Sequence, residues 1–180
     1  MFELWPIQLT GQKNKHGQNM SVESEFMTPV VDTVVSVFNT MLQFQPDVGE
    51  ANIKTDATSR GDVTGLMTME SDHVQGSLAM TFSKPVIFDL AKRMLNLDLK
   101  EIDEIARDLA GEMTNIVVGG AKCVFEERGY NFEMSLPQVL EGEAHNIDHQ
   151  LSGETILIPL SIESGEFFIE LNFTEKPTVQ

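Results

Sequence analysis

The 180-residue sequence has one cysteine, few basic residues and no long apolar run. Because Cys123 is the only cysteine, a disulfide within the chain is excluded. The 12 lysines and arginines stand against 28 aspartates and glutamates, and the net charge of -16 would repel phosphate backbones and anionic lipids. No apolar run approaches the roughly 20 residues that a membrane-spanning helix needs. We therefore expect a cytoplasmic protein that binds neither nucleic acid nor membrane.

The first 19 residues have a polar middle and lack the long apolar segment of a secretory signal peptide. A second methionine, Met20, stands shortly before helical periodicity begins. We expect residues 1–19 to be a disordered N-terminal extension, with a docking arm built around Trp5 as the alternative. Residues 20–180 suit a single domain, since domains centre on roughly 100 to 200 residues.

The first helical pattern follows Thr28 and Pro29, a pair typical of an N-cap and a first helical position. Apolar residues then recur with helical spacing to about Phe44. The valine run in this segment could also form a strand, but its length and its 3.6-residue period favour a helix.

Two further helices are predicted downstream. Ser83 caps a short one that ends at Leu95, and Pro85 lies in its first turn. A longer one extends over residues 100–128, and Gly129 is placed to end it.

Alternating apolar residues predict strands between and after the helices. The predicted strands are residues 62–70, 75–82, 131–140, 154–164 and 165–173, and residues 145–152 read as a loop. The first two strands and the last two form hairpins. Pro159 lacks an amide donor and belongs at an edge, at a bulge or where pairing is interrupted. The order of elements predicts an α+β fold with helices covering an antiparallel sheet.

The long third helix has two faces of different character at about 100° per residue. The predicted buried stripe comprises Ile102, Ile105, Leu109, Met113, Ile116, Gly120 and Cys123. A flanking set is predicted to be neighbours on the surface: Asp108, Glu112, Asn115, Gly119 and Lys122.

Three glycines inside this helix cost about 1 kcal/mol each relative to alanine. Close packing against another helix explains Gly120, but Gly111 and Gly119 are predicted to face outward. There they would let a partner approach the backbone, with Val118 as an apolar contact. The alternative is an ordinary solvated face.

The run Asp108-x-x-x-Glu112-x-x-Asn115, with Pro137 further on, resembles the signature of the CheC/CheX chemotaxis phosphatases. The resemblance is closest to the CheX type and extends from about Phe26 to Phe173. It implies a CheC-like, internally duplicated fold and a homodimer joined through its sheet.

The resemblance also implies a reaction, which is removal of the phosphoryl group from the phospho-aspartate of a CheY-type response regulator. By residue match, Asn115 would orient the attacking water and Glu112 would anchor a lysine of the regulator. The chain would bind no cofactor, since the Mg²⁺ belongs to the regulator's active site. The other members of the flanking set would be partner contacts: Asp108, Gly111, Val118, Gly119 and Lys122. A non-catalytic adaptor that sequesters the phosphorylated regulator is the alternative.

Two other motifs are weaker. The first helix carries Asp32-x-x-x-Ser36-x-x-Asn39, in which serine replaces the glutamate, so we expect one active centre per chain. His145 and His149 could suggest a metal site, but a loop gives them no assured common face, so we expect no metal.

Overall fold

The computed structural model describes residues 21–177, which form three helices and eight strands. The helices are α1 (Ser21–Leu42), α2 (Lys84–Leu95) and α3 (Glu104–Glu127). The strands are β1 (Asp47–Val48), β2 (Asn52–Lys54), β3 (Val63–Glu70), β4 (Val74–Phe82), β5 (Glu133–Met134), β6 (Gln138–Glu141), β7 (Thr155–Ile162) and β8 (Gly165–Glu175). The extension expected at residues 1–19 lies outside the described residues. None of the described helices combines the length and apolar character that a bilayer crossing needs.

The strands form one antiparallel sheet in the order β1-β7-β8-β4-β3-β5, in which β2 also pairs with β7 and β6 with β3. The order of elements repeats along the chain: α1-β1-β2-β3-β4 is followed, after α2, by α3-β5-β6-β7-β8. The two halves exchange their short strands, since β1 and β2 pair with β7 while β5 and β6 pair with β3. This arrangement confirms the predicted α+β fold and contains the internal duplication that the resemblance implied.

The two faces of the sheet differ in their covering. The helices pack on one face, where Phe38 of α1 stacks on Phe167 of β8 with ring centroids 4.7 Å apart. The opposite face carries more polar residues and is partly covered by the segment 142–153. Ile147 of that segment forms a small apolar cluster with Leu66 and Ala79. The main core therefore lies between the sheet and the helices.

Helix α1 begins earlier than predicted, and Pro29 lies inside it. A proline there deprives the Glu25 carbonyl, four residues earlier, of its usual backbone donor. The Arg128 side chain supplies a replacement, since its Nη1 donates to the Glu25 carbonyl oxygen at 2.8 Å. The predicted boundary was wrong because this donor comes from the far end of α3.

The starts of α2 and α3 depend on aspartates. Ser83 precedes α2 as predicted, but its hydroxyl donates to the Glu166 carbonyl, and the Lys84 amide donates to Asp62 Oδ2 at 2.7 Å. Helix α3 begins at Glu104 because Asp103 accepts a hydrogen bond from the Ala106 amide at 3.0 Å. The predicted start near residue 100 was therefore four residues early.

Both predicted hairpins are confirmed, in β3–β4 and β7–β8. The predicted strand at residues 131–140 is instead two short strands, β5 and β6, separated by residues 135–137. Pro137 has no amide to donate, which accounts for the break. Pro159 lies in β7 opposite the gap between β1 and β2, where its carbonyl accepts from the Gly49 amide at 2.8 Å. Its prediction at an interrupted pairing is confirmed, whereas β1 and β2 were not predicted.

Substituting Gly65 of β3 should destabilise the contact between the sheet and α3. A Cβ at this position would lie 2.7 Å from the Ala110 carbonyl oxygen and closer still to Thr114 Oγ1. We expect Gly65→Ala to lower the free energy of unfolding by about 1–3 kcal/mol, as overpacked cores do. Urea denaturation would measure this, and Gly65→Ala/Thr114→Ala should recover part of the loss. An unchanged unfolding midpoint in the single variant would contradict the close contact.

Candidate functional site

Helix α3 packs into the fold through mostly small side chains. Its buried residues are Ala106, Leu109, Ala110, Gly111, Met113, Thr114, Val117, Val118, Ala121 and Phe125. The predicted stripe was therefore wrong in phase, since Ile105 is 38% exposed, Cys123 is exposed and Ile116 is half-buried. The buried face is rotated by roughly 100°, about one residue, from the predicted one. The error arose because the pattern counted large apolar residues, whereas alanine, glycine and threonine make the closest contacts.

Two residues predicted to face a partner are buried. Val118 has no exposed surface and belongs to the core, so its prediction as an outward apolar contact was wrong. Gly111 is also buried. A Cβ added to it would lie 3.3 Å from Val139 Cγ2 and 3.6 Å from Pro137 Cβ, so there is little space for a side chain. Close packing within the chain therefore explains Gly111.

The rest of the predicted surface set shares one side of α3. Asp108, Glu112 and Asn115 are exposed, and Lys122 is half-buried with its Nζ 3.4 Å from Glu126 Oε1. Within the described residues, the side chains of Glu112 and Asn115 make no hydrogen bond or ion pair. Because residues three apart on a helix are neighbours, both groups can reach one external atom. The arrangement leaves a carboxylate and an amide ready for an outside partner.

The adjacent glycines Gly119 and Gly120 have different surroundings. A Cβ on Gly120 would lie 2.6 Å from Thr33 Cγ2 of α1, which confirms that helix packing explains this glycine. A Cβ on Gly119 would have no heavy atom within 4 Å. Nothing within the described chain therefore requires glycine at 119, four residues after Asn115.

Pro137 packs beside the exposed pair. It lies between β5 and β6 and beside Gly111 of α3, one helical turn before Asn115, since a Cβ added to Gly111 would be 3.6 Å from Pro137 Cβ. An ion pair between Arg107 and Glu141, with Nη1 and Oε2 3.0 Å apart, joins α3 to β6 nearby. The sequence located Pro137 in the signature but could not show this contact, because it joins segments distant along the chain.

The corresponding motif on α1 is also exposed. Asp32, Ser36 and Asn39 all lie on the outer side of that helix. Desolvation raises the pKa of Asp32 above its usual value, although the charge of Arg128 partly opposes the shift. The serine supplies no anionic group, so this helix lacks the carboxylate and amide pair of α3.

His145 is held within the protein. Its Nδ1–H donates to the Gly142 carbonyl at 2.8 Å, and its Nε2 lies 2.7 Å from Thr64 Oγ1. The Nδ1 bond thus lies within the segment 142–153, and the Nε2 contact joins that segment to Thr64 of the sheet.

His149 belongs to a buried polar network. Its Nδ1 lies 2.8 Å from Ser77 Oγ and its Nε2 lies 3.1 Å from Glu170 Oε2, while Lys54 Nζ lies 2.6 Å from Glu170 Oε1. His145 and His149 thus bind different partners. No group of three or more possible ligands suited to a metal occurs among the described residues.

Comparison with known proteins gives consistent matches. The family model described as chemotaxis phosphatase CheX matches residues 63–161. The crystal structure of a CheC-like superfamily protein from Shewanella sp. PV-4 is 36% identical and has a TM-score of 0.79, covering 87% of this chain and 99% of that one. The chemotaxis protein CheX from Vibrio vulnificus is 35% identical with a TM-score of 0.77, covering 83% and 99%.

A curated relative has a more specific name. The CheY-P phosphatase CheX of Thermotoga maritima is 20% identical over 148 residues, which is 82% of this chain and 94% of that protein.

Alanine substitutions at the adjacent glycines should have opposite effects on stability. We expect Gly119→Ala to raise the free energy of unfolding by about 0.5–1 kcal/mol, because alanine favours the helix and meets no neighbouring atom. Gly120→Ala should lower it, since its methyl group would press on Thr33. Paired urea denaturation curves would test this. A destabilised Gly119→Ala variant would show that position 119 is packed within the protein.

Proposed function

Because the chain belongs to the CheX family of chemotaxis phosphatases, we propose that it hydrolyses the phospho-aspartate of a CheY-type response regulator. The observation that carries the proposal is the exposed pair Glu112 and Asn115, which has no partner within the described residues. The pair lies on a helix packed against the sheet, so its backbone is held in place. The name of the Thermotoga relative, a CheY-P phosphatase, supports the substrate.

Asn115 suits the task of positioning water. An acyl phosphate is already activated, and Mg²⁺ in the regulator's own site would neutralise developing charge. The remaining requirement is a water molecule held in line with the bond that breaks. A neutral amide both donates and accepts hydrogen bonds, so it can orient water without bringing a negative charge toward the phosphoryl oxygens. An aspartate at position 115 would repel those oxygens.

Glu112 suits the task of docking. Its carboxylate lies on the same exposed side of α3 as Asp108, and both give that surface a negative potential. A lysine beside the regulator's phosphorylation site would pair with Glu112, in a charge-assisted hydrogen bond. The pair would set the register of the two proteins and thereby place Asn115 over the phosphoryl group.

The assembly and location also belong to the proposal. We expect a homodimer joined through the sheet, as the resemblance to the CheX type implies. The protein would act in the cytoplasm and bind no cofactor of its own. Light scattering after gel filtration would measure the oligomeric state.

Removing the amide of Asn115 should abolish most of the catalysis. We expect Asn115→Ala to slow hydrolysis on the order of 10²-fold, because misplacing a reacting group by about 1 Å costs that much. The measurement is the decay of a phosphorylated CheY-type regulator with Mg²⁺ present, and binding should survive. Asn39→Ala is the matched control, since Asn39 is exposed on the corresponding helix α1. Tight binding by the unmodified protein without faster decay would refute catalysis and favour the sequestering adaptor.

Removing the charge of Glu112 should weaken docking. We expect Glu112→Gln to lower kcat/KM roughly 10–100-fold, because a hydrogen bond to a charged group contributes about 1.5–3 kcal/mol. The same decay assay over a range of regulator concentrations would measure it. Glu127→Gln, at an exposed position in the last turn of α3, is the control. Equal kcat/KM for both variants would exclude Glu112 as the anchor.

A further inference from the structure

Leu136 stands out among the exposed apolar residues of the described chain. The residue is 87% exposed, whereas the next most exposed large apolar residues, Ile53 and Leu95, reach 47%. Single apolar residues on a surface are common and need no special reason. Leu136 differs from such residues in its fixed backbone and in its position beside the candidate site.

The backbone on both sides of Leu136 is fixed. Before it, the Ser135 amide donates to the Thr68 carbonyl and the Thr68 amide donates to Ser135 Oγ, both at 2.9 Å. After it, Pro137 packs at Gly111 and restricts Leu136 to an extended backbone. Leu136 therefore cannot turn inward without breaking these contacts, and its side chain is presented to solvent in a defined place.

That place is beside the candidate site. Pro137 lies beside Gly111 of α3, and a step of about 100° per residue puts Asn115 roughly 40° further round the helix than Gly111 and Glu112 roughly 100° further. Of Asn115 and Glu112, Asn115 is thus the nearer to the segment 135–137. A partner that covers Asn115 would also meet Leu136.

The internal duplication provides a comparison within the same chain. The segment 49–51 between β1 and β2 corresponds to the segment 135–137 between β5 and β6. Its residues are Gly49, Glu50 and Ala51, so it carries no large apolar side chain. The protruding leucine thus occurs in the half of the chain that has the Glu112 and Asn115 pair, and is missing from the half whose helix has Ser36.

We propose that Leu136 is an apolar docking residue that contacts the surface of the phosphorylated regulator beside its phospho-aspartate. The inference rests on the proposed function, because it takes the phosphorylated regulator as the occupant. The regulator is favoured over a second copy of this chain because the segment 135–137 lies beside the exposed pair Glu112 and Asn115, and the oligomeric state of the variants tests this choice. Because the backbone of Leu136 is already fixed, binding orders little more than its side chain, so we expect the contact to contribute to affinity and not to turnover.

The test is a split between KM and kcat. Full-length unmodified protein, Leu136→Ser, Leu136→Met and Leu95→Ser would be compared in the decay of a CheY-type regulator phosphorylated by acetyl phosphate with Mg²⁺. We expect Leu136→Ser to raise KM about tenfold with kcat at saturation unchanged, as loss of a buried apolar anchor does. Leu136→Met should restore most of the affinity, and Leu95→Ser, which removes an equally apolar residue from α2, should match the unmodified protein.

The outcomes separate the inference from the proposed function. If the unmodified protein accelerates decay and Leu136→Ser has the same KM, Leu136 is not a docking residue. If Leu136→Ser changes the oligomeric state measured by light scattering, the residue belongs to an interface between copies and the inference is overturned. If the unmodified protein does not accelerate the decay of any phosphorylated regulator, the proposed function itself fails and the inference fails with it. Thermal unfolding of each variant would show that an altered KM does not come from misfolding.

Discussion

The close approach of α3 to β3 depends on the missing side chain at Gly65. Thr114 fills that space, and its hydroxyl donates to the Ala110 carbonyl at 2.8 Å, so it needs no partner in the sheet. Once Thr114 faces the sheet, the next residue, Asn115, must point away by about 100°. The direction of the candidate pair is thus set by a strand in the middle of the fold. Such support would suit the role proposed for Asn115, since catalytic geometry tolerates little displacement.

Exchange of short strands binds the two halves into one unit. Neither half completes its own sheet, because β1 and β2 are paired with β7 while β5 and β6 are paired with β3. The halves nevertheless differ where they meet solvent, since α3 has Glu112 where α1 has Ser36. The first half thus lacks the carboxylate and amide pair of the second. Exposed residues contribute little to the core, so this difference between the helices has little effect on stability.

Elements with long, regular periodicity could be predicted from the sequence, and those that depend on distant contacts could not. Both hairpins and the existence of three helices follow from alternation and helical spacing. The sequence did not predict which face of α3 is buried, because that face consists mostly of small residues whose close packing depends on Gly65. The start of α1 likewise depends on the hydrogen bond from Arg128, about a hundred residues away. At the site, exposure of Glu112 and Asn115 could be predicted, but the burial of Val118 and the position of Leu136 required the folded chain.

Buried and exposed polar groups of this chain differ in whether they have partners within the protein. Lys54 and Glu170 are almost fully buried, and each is paired, with His149 and Ser77 completing the network. Buried charges without partners would cost several kcal/mol, so this network is what a polar sheet face needs when a loop covers it. Glu112 and Asn115 are in water and have no partner in the described chain. Neither side chain therefore makes an evident contribution to folding. Binding of an external partner is the explanation that remains for the presence of this pair.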